Sequence, residues 1–152
     1  PDLAGPEIQR KDLLNSLKTV NGFFKKTSHG LFAFETITVP PEVIRLPKTA
    51  KHYAQDNYDE LWEDAMAAAK ELGRKYDSEG YEFAGVSFKE LYPGWAGLAH
   101  LSAKRFWLDG YWGADPRVIA HEIGHNLGLL HAAAWDPASG SQADDPDGQH
   151  VE

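Results

Sequence analysis

The stretch HEIGHNLGLLH, residues 121 to 131, constrains the fold of this 152-residue chain more than any other. On a helix, positions four apart lie one turn above each other on the same face, so His121 and His125 offer two imidazole nitrogens to one ion. Catalytic zinc sites hold three protein ligands and keep one position open. The third ligand has to approach from outside the helical ladder, and His131 does so if the chain reverses at Gly128. Lacking a Cβ, a glycine there takes the left-handed conformation that ends a helix. Glu122 adjoins the first histidine and precedes the second by three, which sets its carboxylate beside the ion rather than on it. That is the place of a general base, one that takes a proton from a metal-activated water.

The surroundings agree with this reading. Asp115 is placed to cap a helix, and Pro116 suits the first helical position, where its missing N–H has no partner to lose. Drawn at random from this composition, the pattern has odds of roughly one in ten thousand, so coincidence is set aside. The chain has no cysteine, so disulfides are excluded and a metal has to be held by His, Asp or Glu. A formal charge of -8 argues against a nucleic-acid partner, which needs clustered Lys and Arg. No apolar run reaches the roughly 18 residues that span a bilayer, and no basic-then-apolar leader opens the chain, so no membrane partner is expected. Pro1, where an initiator Met would stand, reads as a processed or engineered start.

Length and an apolar share of 42% fit one domain over residues 1–152. Residues 7–26 place Ile8, Leu13, Leu14, Leu17, Val20 and Phe24 at helical intervals, with Asn21-Gly22 expected to weaken or end the helix. GLFAFETITV, 30–39, alternates like a strand before Pro40-Pro41 stops it. Residues 57–76 form the clearest helix, with Asn57 as its cap and Gly73 near its end. Three strand-like runs follow at 81–88, 97–102 and 104–110, then the helix from Pro116 to Gly128. Beyond Trp135 the composition is that of a long exposed loop. The expected class is α/β or α+β, a mixed sheet with helices packed on it.

At all five fixed positions, residues 121–131 match H-E-x-x-H-x-x-G-x-x-H, and the chain resembles the metzincin zinc endopeptidases that carry this signature. HEIGHNLGLLHAAAW and VNGFFKKTSHGLFAF are most similar to gametolysin-type peptidases and their bacterial relatives, which cleave extracellular or cell-wall proteins. The resemblance implies a metzincin-like twisted mixed sheet with an active-site helix, a Zn2+ cofactor on His121, His125 and His131, Glu122 as base, and secretion. GWAGLAHLS resembles the antiparallel edge strand of these enzymes and RFWLDG the last strand before the active-site helix. Gly97, Leu98, Ala99, His100 and Leu101 are then expected to bind an extended protein or peptide substrate by strand addition. Metzincins also carry a methionine turn after the third histidine, whereas the only methionine here is Met66, on an earlier helix. The lower subdomain is therefore expected to be missing, through truncation or because a remaining segment of the same protease completes it.

Other signals are weaker. His100 reads as a half-buried strand histidine before it reads as a second metal ligand. DDPDG, 144–148, reads first as a solvated acidic turn, with Ca2+ binding as the alternative. Trp95, Trp107 and Trp112 read as core or strand-packing residues, and His29, His52 and His150 as surface residues. Two other functions stay open from sequence: a zinc-binding domain that does not catalyse, and a metal-free binding module using the aromatic surface.

Overall fold

The run RFWLD, residues 105–109, has its last four side chains buried in succession, where a strand with one wet face would alternate. Phe106 and Leu108 join Val20, Phe24, Ile119 and Ile123 in one apolar cluster. Trp107, one position out of phase and fully buried, joins Tyr53, Leu61 and Trp62 in another. The strand is covered on both faces, and its two sets of side chains build two half-cores.

The computed structural model describes residues 8–92, 94–131, 135–136 and 141–142. In chain order the elements are α1 (Arg10–Thr27), α2 (Ala50–Tyr53), α3 (Tyr58–Glu71), β1 (Ala84–Phe88), β2 (Gly97–Ala99), β3 (Arg105–Asp109), α4 (Gly110–Gly113), α5 (Pro116–Asn126), β4 (Trp135–Asp136) and β5 (Ser141–Gln142), with 3-10 turns at Arg74–Tyr76 and Ser78–Gly80. The main sheet has the order β1-β3-β2, β1 parallel and β2 antiparallel to β3. α1 and α5 contribute to one face, α2 and α3 to the other. The architecture is mixed α+β, as the element order implied.

Two indoles and a carboxylate tie the layers at the joints. Trp62 Nε1 donates to the Ala84 carbonyl at 3.0 Å and Trp107 Nε1 to the Tyr58 carbonyl at 2.7 Å, tying the α3 layer to the sheet. At the end of β3, the buried Asp109 carboxylate accepts the backbone N–H groups of Leu91 (2.7 Å) and Tyr92 (2.6 Å). Burial pushes that carboxyl upward while the two amides oppose the shift.

Several expectations are corrected. α1 runs unbroken through Asn21-Gly22, because Val20 and Phe24 on either side anchor it in the core and outweigh a glycine cost of about 1 kcal/mol. The expected strand at 30–39 is irregular and lies outside any described sheet. Phe32 and Phe34 do turn inward, but the amide and carbonyl of Phe34 are held by the side chain of Asn21, at 2.7 and 3.1 Å, which takes the place of a neighbouring strand. Asn57 stands at the N-cap of α3 as expected, but its side chain makes no cap hydrogen bond; its amide donates to the His52 carbonyl at 2.8 Å instead. α3 stops at Glu71, two residues before Gly73 with its φ of 133°. Trp112 is 67% exposed rather than packed. Within the expected loop after Trp135, β4 and β5 pair antiparallel, Trp135 against Gln142. DDPDG and His150 lie outside the described residues.

Candidate active site

α5 starts as its sequence dictates: Pro116 is its first residue, and the Asp115 carboxylate accepts the Arg117 backbone N–H at 2.8 Å. Ile119 and Ile123, one turn apart and almost wholly buried, fix the helix on the sheet. With that face fixed, His121 and His125 share another face, and Glu122 falls between the two toward β2.

The helix ends in a Schellman turn. Gly128 has a φ of 89°, its N–H bonds the His125 carbonyl at 2.9 Å, and the Leu129 N–H reaches back to the Gly124 carbonyl at 3.0 Å. The turn carries His131 to the two helical histidines. The three Nε2 atoms lie 3.1 Å from one another, pair by pair. The Leu129 carbonyl also lies 2.7 Å from Nδ1 of His125. A carbonyl only accepts, so His125 carries its proton on Nδ1 and turns the lone pair of Nε2 toward the other rings.

This triad suits a metal. Donors of a tetrahedral zinc ion at 2.0–2.1 Å are about 3.3–3.4 Å apart, close to the separations here, and three imidazole nitrogens are a donor set that zinc accepts. Among the described residues, His121, His125 and His131 form a group with the spacing to hold one ion.

Glu122 is buried, with 5% of its surface exposed. Desolvation alone pushes its carboxyl up to about 7. It lies against Gly97: a Cβ built there would fall 2.5 Å from Oε1. An apolar groove of about 520 Å³ between α1 and α5, walled in part by Phe23, Leu129 and Leu130, reaches His121 and His125 from another side.

Of the five residues expected to bind substrate, Gly97, Leu98 and Ala99 form β2, at the edge of the described sheet. Ala96 accepts from Asp109 N–H at 2.9 Å and His100 N–H donates to Arg105 at 3.2 Å, so these two turn their backbones inward to β3. By alternation, the N–H and C=O groups of Gly97 and Ala99 point out along the open edge. Leu98 packs into the α3-side cluster. His100 lies past the strand, its ring against Trp107 at 5.1 Å and its Nε2 3.5 Å from Asp59, on the side away from the triad. Leu101 is in the turn that follows, half exposed, so the expected strand to 102 is shorter than its sequence suggested.

Sequence reasoning missed three supports. Asn126 donates to the carbonyls of both His100 and Arg105 at 2.9 Å, clamping the β2–β3 turn to α5. Ser102 N–H donates to the His125 carbonyl at 2.9 Å, tying the same turn to a triad residue. The Leu129 carbonyl is the third. The only sequence signal was that Asn126 and Leu129 lie inside the histidine motif; the long-range pairings leave none.

Searches of curated proteins and of solved structures gave no match. A family model does match, that of gametolysin peptidase M11, over residues 6–139. With the histidine triad and buried glutamate inside that span, the chain belongs to the gametolysin peptidase family and is a metallopeptidase.

Proposed function

We propose that the chain is a zinc-dependent endopeptidase domain acting on extracellular or cell-wall proteins, with His121, His125 and His131 as metal ligands and Glu122 as general base. The observation that carries this reading is the meeting of three Nε2 atoms at 3.1 Å beside a carboxyl that burial holds near neutrality. When bound, zinc supplies Lewis acidity that makes a water acidic near pH 7 and polarises a peptide carbonyl. Glu122 takes the proton from the attacking water and delivers it to the leaving nitrogen. A pKa of about 7 lies between those two tasks, and a neighbouring cation lowers it, favouring the accepting form. The outward N–H and C=O groups of Gly97 and Ala99 pair with an extended substrate by strand addition.

The test is cleavage of an unstructured protein by the chain, with and without chelator, beside Glu122→Gln. Chelator-sensitive cleavage that is lost in the variant, while zinc content is kept, is the expected result. Full cleavage by Glu122→Gln rejects the assigned base. Stoichiometric zinc with no cleavage favours a silent metal-binding domain.

A further inference from the structure

Four of the described glycines show a structural reason in the backbone: Gly30, Gly73, Gly110 and Gly128 have positive φ. Gly97 does not, so its conformation is open to any residue, and glycine there weakens the strand by offering nothing to pack. What a side chain would meet gives the reason. A Cβ on Gly97 falls 2.5 Å from Oε1, 2.7 Å from Cγ and 2.8 Å from Cδ of Glu122, all closer than real Cβ contacts come. Cγ, Cδ and Oε1 of Glu122 therefore occupy the space of the missing side chain. Gly85 is crowded too, but by the Phe106 ring, which makes it a packing glycine.

We propose that Gly97 is a positioning residue for the general base: the absence of its side chain is the slot that holds the Glu122 carboxylate against the edge strand. This rests on reading Glu122 as the base. The slot does three things at once. It limits the carboxylate's rotamers by contact on one side, keeps bulk water from that side, and makes the strand that binds substrate also the wall that sets the base. Any side chain at 97 lifts the carboxylate toward the triad or out of the cleft. A displacement of about 1 Å in an aligned catalytic group costs on the order of a hundredfold in rate.

A double-mutant cycle on the full zinc-loaded chain tests this. Gly97→Ala is expected to lower kcat about ten- to a hundredfold with zinc content unchanged and KM altered far less. Gly94→Ala, whose Cβ meets nothing within 4 Å, is the control and keeps wild-type kcat. In a Glu122→Ala background, where Cγ, Cδ and both oxygens are gone from the slot, Gly97→Ala is expected to change the residual kcat by less than about twofold, because the two sites are coupled. Wild-type kcat in Gly97→Ala overturns the proposal, as does an equal loss in both backgrounds. A loss in KM alone also overturns it, since that assigns Gly97 to substrate pairing only. If Gly97→Ala lowers the melting temperature, the same cycle is read there: a drop abolished by Glu122→Ala supports the slot, and an undiminished drop rejects it. Full activity in Glu122→Gln defeats the assignment of the base instead, and is scored separately from the cycle.

Discussion

Asp64 and Glu122 both project from helices packed against the same sheet, yet their surroundings are opposite. Asp64, on α3, meets the Lys48 ammonium and the Tyr53 hydroxyl, the latter at 2.7 Å, and these contacts hold its carboxyl below the usual range. Its neighbour Glu60 pairs with the same lysine at 3.1 Å and with His52. Glu122, on α5, is buried, and the shift of its carboxyl comes from that burial without an opposing charge. A charge that is answered on the spot fixes α2 and the chain before it onto α3. A buried carboxyl left near neutrality, with no opposing charge in its shift, is poised to move a proton. The α3 face keeps shape, and the α5 face is shaped around groups that act on something else.

Breaking the α5 side is expected to have the largest effect. Alanine at His121, His125 or His131 weakens zinc binding and brings proteolysis to background, measured by zinc affinity and peptide cleavage, while Asp64→Asn leaves both unchanged. Glu122→Gln comes next: it keeps zinc and lowers kcat about a hundred- to ten-thousandfold. Gly128→Ala follows. Its φ of 89° is strained for any residue with a Cβ, so stability falls by about 1 kcal/mol or more and zinc binding weakens as His131 shifts. Chemical denaturation with and without zinc separates the two losses.

The smallest effect, a dependence on pH, sharpens the comparison because the two carboxyls have opposite signs. The folded value of Glu122 is raised, so in the metal-free chain its contribution is fully present below the ordinary glutamate range and is lost as pH rises through about 7. That of Asp64 is lowered, so its contribution is present above the ordinary aspartate range and is lost as pH falls through the depressed value. Melting temperatures of the metal-free chain are expected to decline on both limbs. Glu122→Gln flattens the limb between the ordinary glutamate range and about pH 7, and Asp64→Asn the more acid one. An unaltered limb between the ordinary glutamate range and about pH 7 in Glu122→Gln contradicts the difference drawn between the two sites.

What the sequence made legible was local. α5 could be read from Asp115, Pro116 and Gly128, because a cap, a first-turn proline and a left-handed glycine act within a few residues of themselves. The central strand at 104–110 was legible because burial on both faces demands an unbroken apolar run. The segment at 30–39 was misread because its hydrogen-bond partner is a side chain on α1, and nothing near Phe34 signals that Asn21 will turn toward it. α2 and α4, four residues each, are too short to show a period. The triad could be read from spacing, whereas the meeting of Glu122 with Gly97 depends on how α5 lies across the edge strand, which only the packing of Ile119 and Ile123 decides.

The central claim is that three imidazoles hold one zinc ion beside this carboxyl. Zinc titration of the full chain, followed by X-ray absorption of the bound metal, tests it most directly when repeated on His131→Ala. The account predicts one zinc per chain with three nitrogen ligands, and weaker binding with one nitrogen fewer in the variant. Absence of stoichiometric zinc, or zinc bound as tightly and with the same ligands after His131 is removed, would contradict it.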